Sequence, residues 1–335
     1  MIVAYESGPE LARTLPGLAR EIGPGDEVIV VDNASRVSPR DVVADHLPAA
    51  TVIEMGRNSG FTTATNRGVA ASSGDVIVML NPDALPEPGF GDAIRKPFGD
   101  EPGWGAWMAL VACRIGGEKV VNSWGNPVHF TGVAWAGGHG RPLAEAGSTR
   151  EIPVASGAAL AVRREVWQQV GGLPEEFFLY HEDIDISLRI QSAGHRIGLV
   201  TGAVVDHDYD FHSNDRKWFW LERNRHAMVY RNYPTRLLAL LAPALVATEL
   251  VLILLSIKQG WFGAKLKGHR DLLRWYPRLR RERREIQAGR QISDREFADL
   301  LTPDLDSPLI PAFAQRGLVR TILRTYWRAV RALLD

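Results

Sequence analysis

The sequence predicts an α/β fold: a mostly parallel mixed sheet flanked by helices, followed by an α-helical, membrane-associating C-terminal region. Three observations carry this. Strand-like and helix-like stretches alternate through the first 110 residues, as crossover units in a parallel sheet require. The strand runs at 27–31 and Val76–Leu80 are almost continuously apolar, the pattern of strands covered on both faces. The chain turns strongly apolar, and then basic, only after residue 236.

Ile2-Val3-Ala4-Tyr5 is a short first strand, and residues 10–20 read as a helix. Residues 27–31 (EVIVV) form a strand ending in Asp32-Asn33. Thr51–Glu54 is another strand, residues 62–71 a helix, and Val76–Leu80 (VIVML) a strand stopped by Asn81-Pro82. Ligands of such sheets sit at the carboxyl ends of strands, so Asp32-Asn33 and Asn81-Pro82-Asp83 mark where a site is expected. Residues 100–150 are rich in Gly and Trp and periodic only in pieces. Residues 154–162 are apolar around a central Ser156-Gly157. Glu182–Ser192 reads as a helix closed by Gly194, and residues 195–200 as a strand.

Composition narrows the class. Among 335 residues 45% are hydrophobic and 23% charged, which excludes a disordered chain. The single cysteine, Cys113, excludes an internal disulfide framework and a multi-cysteine zinc site, and suits a reducing cytoplasm. No basic-then-apolar leader opens the sequence. Basic and acidic residues balance at 39 each, but unevenly: residues 258–290 hold eleven Lys/Arg against three Asp/Glu. A basic C-terminal third points to an anionic partner. The long apolar segment beside it does not suit a nucleic-acid binder, so none is expected.

Several residues carry chemistry. Asp32 and Asn33 either begin a loop or hold a base or ribose. Pro82 forces an extended turn and aims Asp83, where a lone carboxylate suits a divalent cation that bridges phosphate oxygens; Asn-Pro-Asp is also a common turn. Tyr180-His181-Glu182-Asp183-Ile184-Asp185 is dense in titratable groups at a helix start. Asp183 there serves equally as a cap or as a general base kept ionised by the helix dipole. His207 ends a strand-like stretch and becomes a metal candidate only if the fold brings it to Asp83. Arg223 and Arg225 either clamp a diphosphate or lie on a solvated helix face.

In this order the pieces resemble the large second family of inverting glycosyltransferases, which have the GT-A fold. Val31-Asp32-Asn33-Ala34-Ser35 matches that family's strand ending, and Asn58-Ser59-Gly60-Phe61 its Asn-x-Gly-Phe segment, with Asn66 shortly after. Leu80-Asn81-Pro82-Asp83 matches its metal motif as found in a bacterial rhamnosyltransferase-like branch. Ser156-Gly157-Ala158, Val170-Gly171-Gly172, the Phe-x-x-x-Glu-Asp-x-Asp run from Phe178 to Asp185, and His207 complete the set, which covers residues 2–235. The resemblance implies a donor site of Tyr5, Asp32, Asn58, Gly60, Asn66 and Asn81, with Asp32 on a uracil or thymine base. It implies Asp83 and His207 on Mg²⁺ or Mn²⁺ at the donor diphosphate, and Arg223 and Arg225 near the leaving group. Asp183 becomes the base, with Gly157 and Glu182 toward the acceptor. By analogy the Asn-Pro-Asp form favours dTDP-L-rhamnose as donor, and the leading reading is a membrane-associated glycosyltransferase that extends a lipid-linked saccharide.

Two departures stand out. Ala4-Tyr5-Glu6 replaces the family's Thr-Tyr-Asn, after only three residues, and this short strand is expected to reflect a start further upstream. Asn81 replaces the first carboxylate of Asp-x-Asp and lowers the negative charge of the metal site. Rival readings have less support. A sugar-phosphate nucleotidyltransferase would carry an N-terminal Gly-rich, Arg-containing loop, and a dinucleotide-binding oxidoreductase a Gly-x-Gly-x-x-Gly after a strand. A catalytically silent sugar-binding or scaffold protein leaves Asp83, Asp183 and His207 without a purpose.

Residues 237–257 are nearly long enough to cross a bilayer, which takes about 20. Pro243, Thr248 and Glu249 interrupt them, and an acid near mid-span costs about 2.5 kcal/mol or more. Basic residues flank both ends, and both flanks favour the cytoplasmic side. The expectation is a helical pair, broken near Pro243, at the cytoplasmic face of the inner membrane, peripheral or monotopic; a buried core helix is the alternative. Arg316, Arg320, Arg324 and Arg328 share one helix face. Val319, Ile322, Leu323, Tyr326, Trp327 and Val330 cover the other, a pattern suited to an anionic membrane surface. The expected division is a catalytic domain over 1–235 and a membrane-associating region over 236–335.

Overall fold

The computed structural model describes residues 1–207, 217–307, 310 and 315–334. β1 (Ile2–Ala4), β2 (Ile29–Asp32) and β3 (Thr51–Glu54) pair in parallel. α1 (Gly8–Glu21) and α2 (Arg40–His46) make the crossovers between them. Val30 and Val31 are fully buried, as a strand covered on both faces requires. α3 (Gly60–Ala70) leads into β4 (Val76–Leu80). β4 joins the edge of this layer, for Leu80 N–H donates to the Met1 carbonyl at 3.0 Å and the Met1 amine to the Val78 carbonyl at 2.8 Å.

Beyond β4 the pairing changes. β5 (Ala84–Pro86), α4 (Phe90–Arg95), α5 (Pro97–Asp100), β6 (Trp104–Ile115) and β7 (Glu118–Ser123) come first. β8 (Arg150–Ile152), β9 (Ala159–Arg163), α6 (Arg164–Val170), α7 (Glu182–Ser192) and β10 (Arg196–His207) follow. The order is β4-β9-β6-β10-β5, with β7 on β6 and β8 on β10. Here only β10 and β6 run parallel; the other pairings are antiparallel. The mixed sheet flanked by helices is as expected, but parallel pairing dominates only its first layer. Connection length is one reason: Gly116-Gly117, both at positive φ, close a two-residue hairpin between β6 and β7. Trp107, Leu160, Ile186 and Leu199 pack beneath this sheet in its main core.

The C-terminal helices are α8 (Lys217–Asn232), α9 (Thr235–Lys258), α10 (Phe262–Ala288), α11 (Asp294–Asp299) and α12 (Gly317–Ala332). They share a second core with α7, in which Phe177, Ile184 and Leu188 meet Met228, Tyr233, Leu241, Trp275 and Trp327.

The expectation for the apolar run is corrected here. The apolar run is one continuous helix of 24 residues, not a pair broken at Pro243. A proline inside a helix removes one hydrogen bond and bends the axis, and here that does not end it. Nor is α9 a buried core helix, since 11% of its most apolar window is buried. Glu249, read from sequence as an interruption, faces the protein: Arg225 Nη2 lies 2.8 Å and Lys265 Nζ 2.7 Å from its carboxylate. In the tail, part of the apolar face of α12 docks on the protein, with Trp327 stacked on Phe130 at 5.0 Å and Tyr326 Oη donating to the Leu240 carbonyl, while Ile322 of that face stays exposed. Arg324 on its basic face pairs with Asp304. Burying Trp327 and Val330 with Phe130 satisfies part of the amphipathic pattern without lipid.

Candidate active site

The end of β4 builds the first half of the site. Asn81 N–H donates to the Ala158 carbonyl at 3.0 Å, and the Asn81 carbonyl accepts Ala84 N–H at 3.1 Å, closing a turn around Pro82. The Thr14 hydroxyl holds the Pro82 carbonyl at 2.7 Å. The turn delivers β5 to β10, with Ala84 opposite His207 in register. Asp83 Oδ1 therefore lies 3.1 Å from His207 Nε2, although 124 positions separate them. The Asn81 amide lies 3.3 Å from the same nitrogen. Three polar side chains from two strand ends converge, with the imidazole buried and Asp83 partly open.

The ends of β1 and β2 gather Tyr5, Asp32, Asn58 and Gly60. Asp32 Oδ1 accepts Ser35 N–H at 2.9 Å, and Ser35 Oγ accepts Glu6 N–H at 2.9 Å, so the two strand ends are tied. Asn33 and Asn58 lock together: the Asn33 amide donates to Asn58 Oδ1 at 3.1 Å, and that oxygen also accepts Gly60 N–H at 3.0 Å. Tyr5 stands exposed beside them. Gly60 has φ +86°, and a Cβ there would lie 2.6 Å from the Phe178 ring. Only glycine meets both demands, so Gly60 seats the Phe178 loop.

That loop builds the second half. Phe178, Tyr180 and His181 all have positive φ (64°, 69° and 65°), each a conformation costing about 1–3 kcal/mol for a residue with a Cβ. His181 is the N-cap residue of α7, so Glu182 and Asp183 begin the helix. Asp183 Oδ2 accepts Gly157 N–H and the Asn126 amide, both at 3.1 Å, and Oδ1 accepts Ile184 N–H at 2.8 Å. Gly157 thus touches Asp183 while the next residue, Ala158, binds Asn81. Asn126 is a site residue that sequence reasoning missed, because it lies in the aperiodic Gly/Trp-rich stretch; its polar position in a turn was the only signal.

Burial decides the electrostatics. It raises the Asp183 carboxyl above its ordinary value, and the bonds from Gly157, Ile184 and Asn126 oppose it only in part. Burial thus works against the helix dipole, which favours the ionised form. Burial and the Asp183 charge push the Glu182 carboxyl up to about 8. Asp185 goes the other way: burial would raise it, but Arg231 and Arg189 together hold it below the ordinary range. Glu182 is then a proton-linked site. Its folded pKa exceeds the unfolded one, so its contribution to stability is full below about 4.5 and lost as pH rises toward 8. Thermal scans between pH 5 and 8 should show the wild-type chain losing more stability than Glu182→Gln; parallel curves would contradict this.

Three expected donor residues are not brought here. Asn66 holds the Gly172-Leu173 turn, donating to the Leu173 carbonyl at 2.9 Å and accepting Leu173 N–H at 3.0 Å. It lines a separate cleft of about 790 Å³ with Gly172, Arg189 and Gln291. Arg223 is buried and pairs with Asp271 at 2.7 Å. Arg225 is buried between Glu222 and Glu249, at 3.2 and 2.8 Å. An arginine on a solvated face could turn to a diphosphate. These two are anchored by carboxylates and main-chain carbonyls because α8 is covered by α9 and α10.

The family model described as Glycosyl transferase family 2 matches residues 1–171. An N-acetylglucosaminyl-diphospho-decaprenol L-rhamnosyltransferase from Mycobacterium tuberculosis is 28% identical over 236 residues, spanning 64% of this chain and 76% of that protein. A pre-mycofactocin glycosyltransferase from the same species is 29% identical over 205 residues, 59% of this chain and 40% of that one. Among solved structures, GalNAc-T7 with UDP, GalNAc and Mn²⁺ superposes with a TM-score of 0.59 at 15% identity, over 71% of this chain and 49% of that one. S. aureus TarS 1-349 in complex with UDP gives 0.52 at 16% identity, over 99% of this chain and 90% of that one. At these identities the structural likeness is one of fold, and that fold is GT-A.

Proposed function

The chain belongs to glycosyl transferase family 2 and is a glycosyltransferase, and from that premise we propose that it transfers a sugar, with inversion, from a nucleoside-diphosphate donor to a hydroxyl of a lipid-linked saccharide in cell-envelope glycan synthesis. The best-fitting donor is dTDP-L-rhamnose, supported by the Asn81-Pro82-Asp83 turn and by the rhamnosyltransferase among its relatives. The observation that carries the reading is the Gly157-Ala158 bridge. Gly157 N–H donates to Asp183, the base candidate, and the carbonyl of the next residue, Ala158, accepts the main-chain N–H of Asn81, which supports one site that joins the two halves.

Asp83 and His207 would hold Mg²⁺ or Mn²⁺. An oxygen and a nitrogen donor already meet at 3.1 Å, and with a single carboxylate the ion would draw further oxygens from the diphosphate. When bound, the ion neutralises charge that develops on the leaving diphosphate. Asp32, fixed by Ser35 N–H, would hold the base or ribose. The Asp183 carboxylate takes the acceptor proton; the Gly157 and Asn126 donors on Oδ2 fix its direction and steady its charge. Glu182 stands beside it toward the acceptor. A shift screen with nucleotide sugars, with and without Mn²⁺, tests donor choice, because a ligand that binds the folded state stabilises it by mass action. Stabilisation by dTDP-L-rhamnose above all others is expected; equal stabilisation by every sugar of one nucleotide would oppose that donor.

The same reading places the protein on the cytoplasmic face of the inner membrane. Val246, Leu250, Val251, Leu254 and Ile257 leave one face of α9 exposed, and Leu266 and Leu273 of α10 are exposed too. Soluble monomers rarely expose a contiguous apolar patch of this kind. The basic charges of α10 beside it suit anionic head groups. Leu250→Glu with Leu254→Glu should weaken binding to anionic vesicles by at least about tenfold, since each buried Leu contributes roughly 1.5–3 kcal/mol. Unchanged vesicle binding would remove α9 from the membrane surface.

A further inference from the structure

We propose that Asn224 is a positioning residue for the catalytic carboxylate: its side-chain amide holds the left-handed turn that aims Asp183. The inference rests on Asp183 as the base.

Asn224 lies on α8, fully buried, between two arginines that were singled out from sequence for another role. Its Nδ2 donates to three main-chain carbonyls at once: Phe177 at 2.9 Å, Leu179 at 2.8 Å and Tyr180 at 2.8 Å. Arg223 Nε donates to Asn224 Oδ1 at 3.1 Å. That bond settles which end of the amide faces the loop, since Nδ2 in its place would set donor against donor. Arg223 also reaches the carbonyls of Glu176 and Phe177, and Asp271 of α10 anchors Arg223 in turn. The Phe178 ring stacks on Trp220 of α8 at 4.6 Å.

α8 therefore grips the loop at residues 176, 177, 178, 179 and 180, immediately before Glu182 and Asp183. The gripped segment contains Phe178 and Tyr180, both at positive φ, and His181, also at positive φ, follows it directly. The carbonyls of Phe177, Leu179 and Tyr180 turn to one side, where one buried amide collects them, while the Phe178 carbonyl between them accepts Thr62 N–H at 3.4 Å. Strain of this kind persists only where surroundings over-determine it. It occurs here at the start of the helix that carries Asp183. If the turn relaxed, the start of α7 would rotate, and Asp183 Oδ2 would lose the 3.1 Å bonds from Gly157 and Asn126.

Those bonds favour the ionised carboxylate, so their loss has a signature that mere unfolding lacks. From its own helix Asp183 faces Glu182; from the packed loops it faces the amides of Asn126 and Gly157. The test uses the full chain and four proteins: wild type, Asn224→Ala, Asn224→Ser and Asp183→Asn. Asn224→Ser keeps one donor and remains informative if Asn224→Ala does not fold. Measured are kcat and donor KM from pH 5 to 9, with the folded fraction from thermal scans. Expected for the Asn224 variants is a kcat loss of at least tenfold at neutral pH, donor KM within about twofold, and an acid limb moved to higher pH, with Ser milder than Ala. A kcat that falls only with the folded fraction, on an unmoved acid limb, would overturn the proposal while an inactive Asp183→Asn left the base assignment standing. A fully active Asp183→Asn would overturn both.

Discussion

Asp183→Asn is expected to lower sugar transfer by at least about a hundredfold while donor affinity stays nearly unchanged. A hydroxyl is a poor nucleophile until its proton is taken, and a positioned base contributes roughly 10²–10⁴ in rate. The carboxamide retains the shape but cannot accept that proton. Folding does not escape entirely. With its oxygen on Ile184 N–H, the new amide would face two donors, Gly157 N–H and the Asn126 amide. Donors left unpaired in a buried site cost about 1–3 kcal/mol, so melting should fall by a few degrees. The two effects separate by size: a stability loss of that order leaves the chain folded at assay temperature, and the rate loss then belongs to chemistry. Full activity would transfer the base role to Glu182, because Asp185 is engaged by Arg189 and Asn232 at 2.8 Å each.

Asp83→Asn is expected to cost about 10²–10³ in turnover, the scale for removing one group that stabilises developing charge. Asparagine keeps a hydrogen-bonding partner for His207 Nε2, so the turn should survive. What it lacks is the one carboxylate of the Asn81, Asp83 and His207 set. Metal titration checks the cause: the Mn²⁺ concentration for half-maximal rate should rise at least about tenfold. A lower rate with an unchanged metal midpoint would place Asp83 in support of the turn alone.

Much of the architecture is legible in the sequence because the signals are local. The Val76–Leu80 and Glu182–Ser192 elements occupy the residues that apolar runs and helix-stop chemistry predict. Asp83 and His207 were readable as strand ends, although only tertiary pairing of β5 with β10 joins them. What stayed illegible depends on partners far away in the chain. Arg223 and Arg225 look like free cations until α9 and α10 supply Glu249 and Asp271. Asn66 sits in a donor-site motif yet caps a turn 107 positions onward. Glu249 reads as a flaw in an apolar helix until Lys265 and Arg225 are placed beside it. Asn126 and Asn224, which touch the base and its loop, carry no periodic or motif signal at all.

The stereochemistry of one product tests inverting transfer most directly. The full chain, in anionic vesicles with Mn²⁺, would be given dTDP-L-rhamnose and lipid-linked saccharide acceptors. Proton NMR of the purified product then reads its new anomeric centre. A single glycosidic bond, with configuration opposite to that of the donor, is the predicted result. A product of retained configuration, or nucleoside diphosphate released with no glycosidic bond formed on any lipid-linked saccharide, would contradict it.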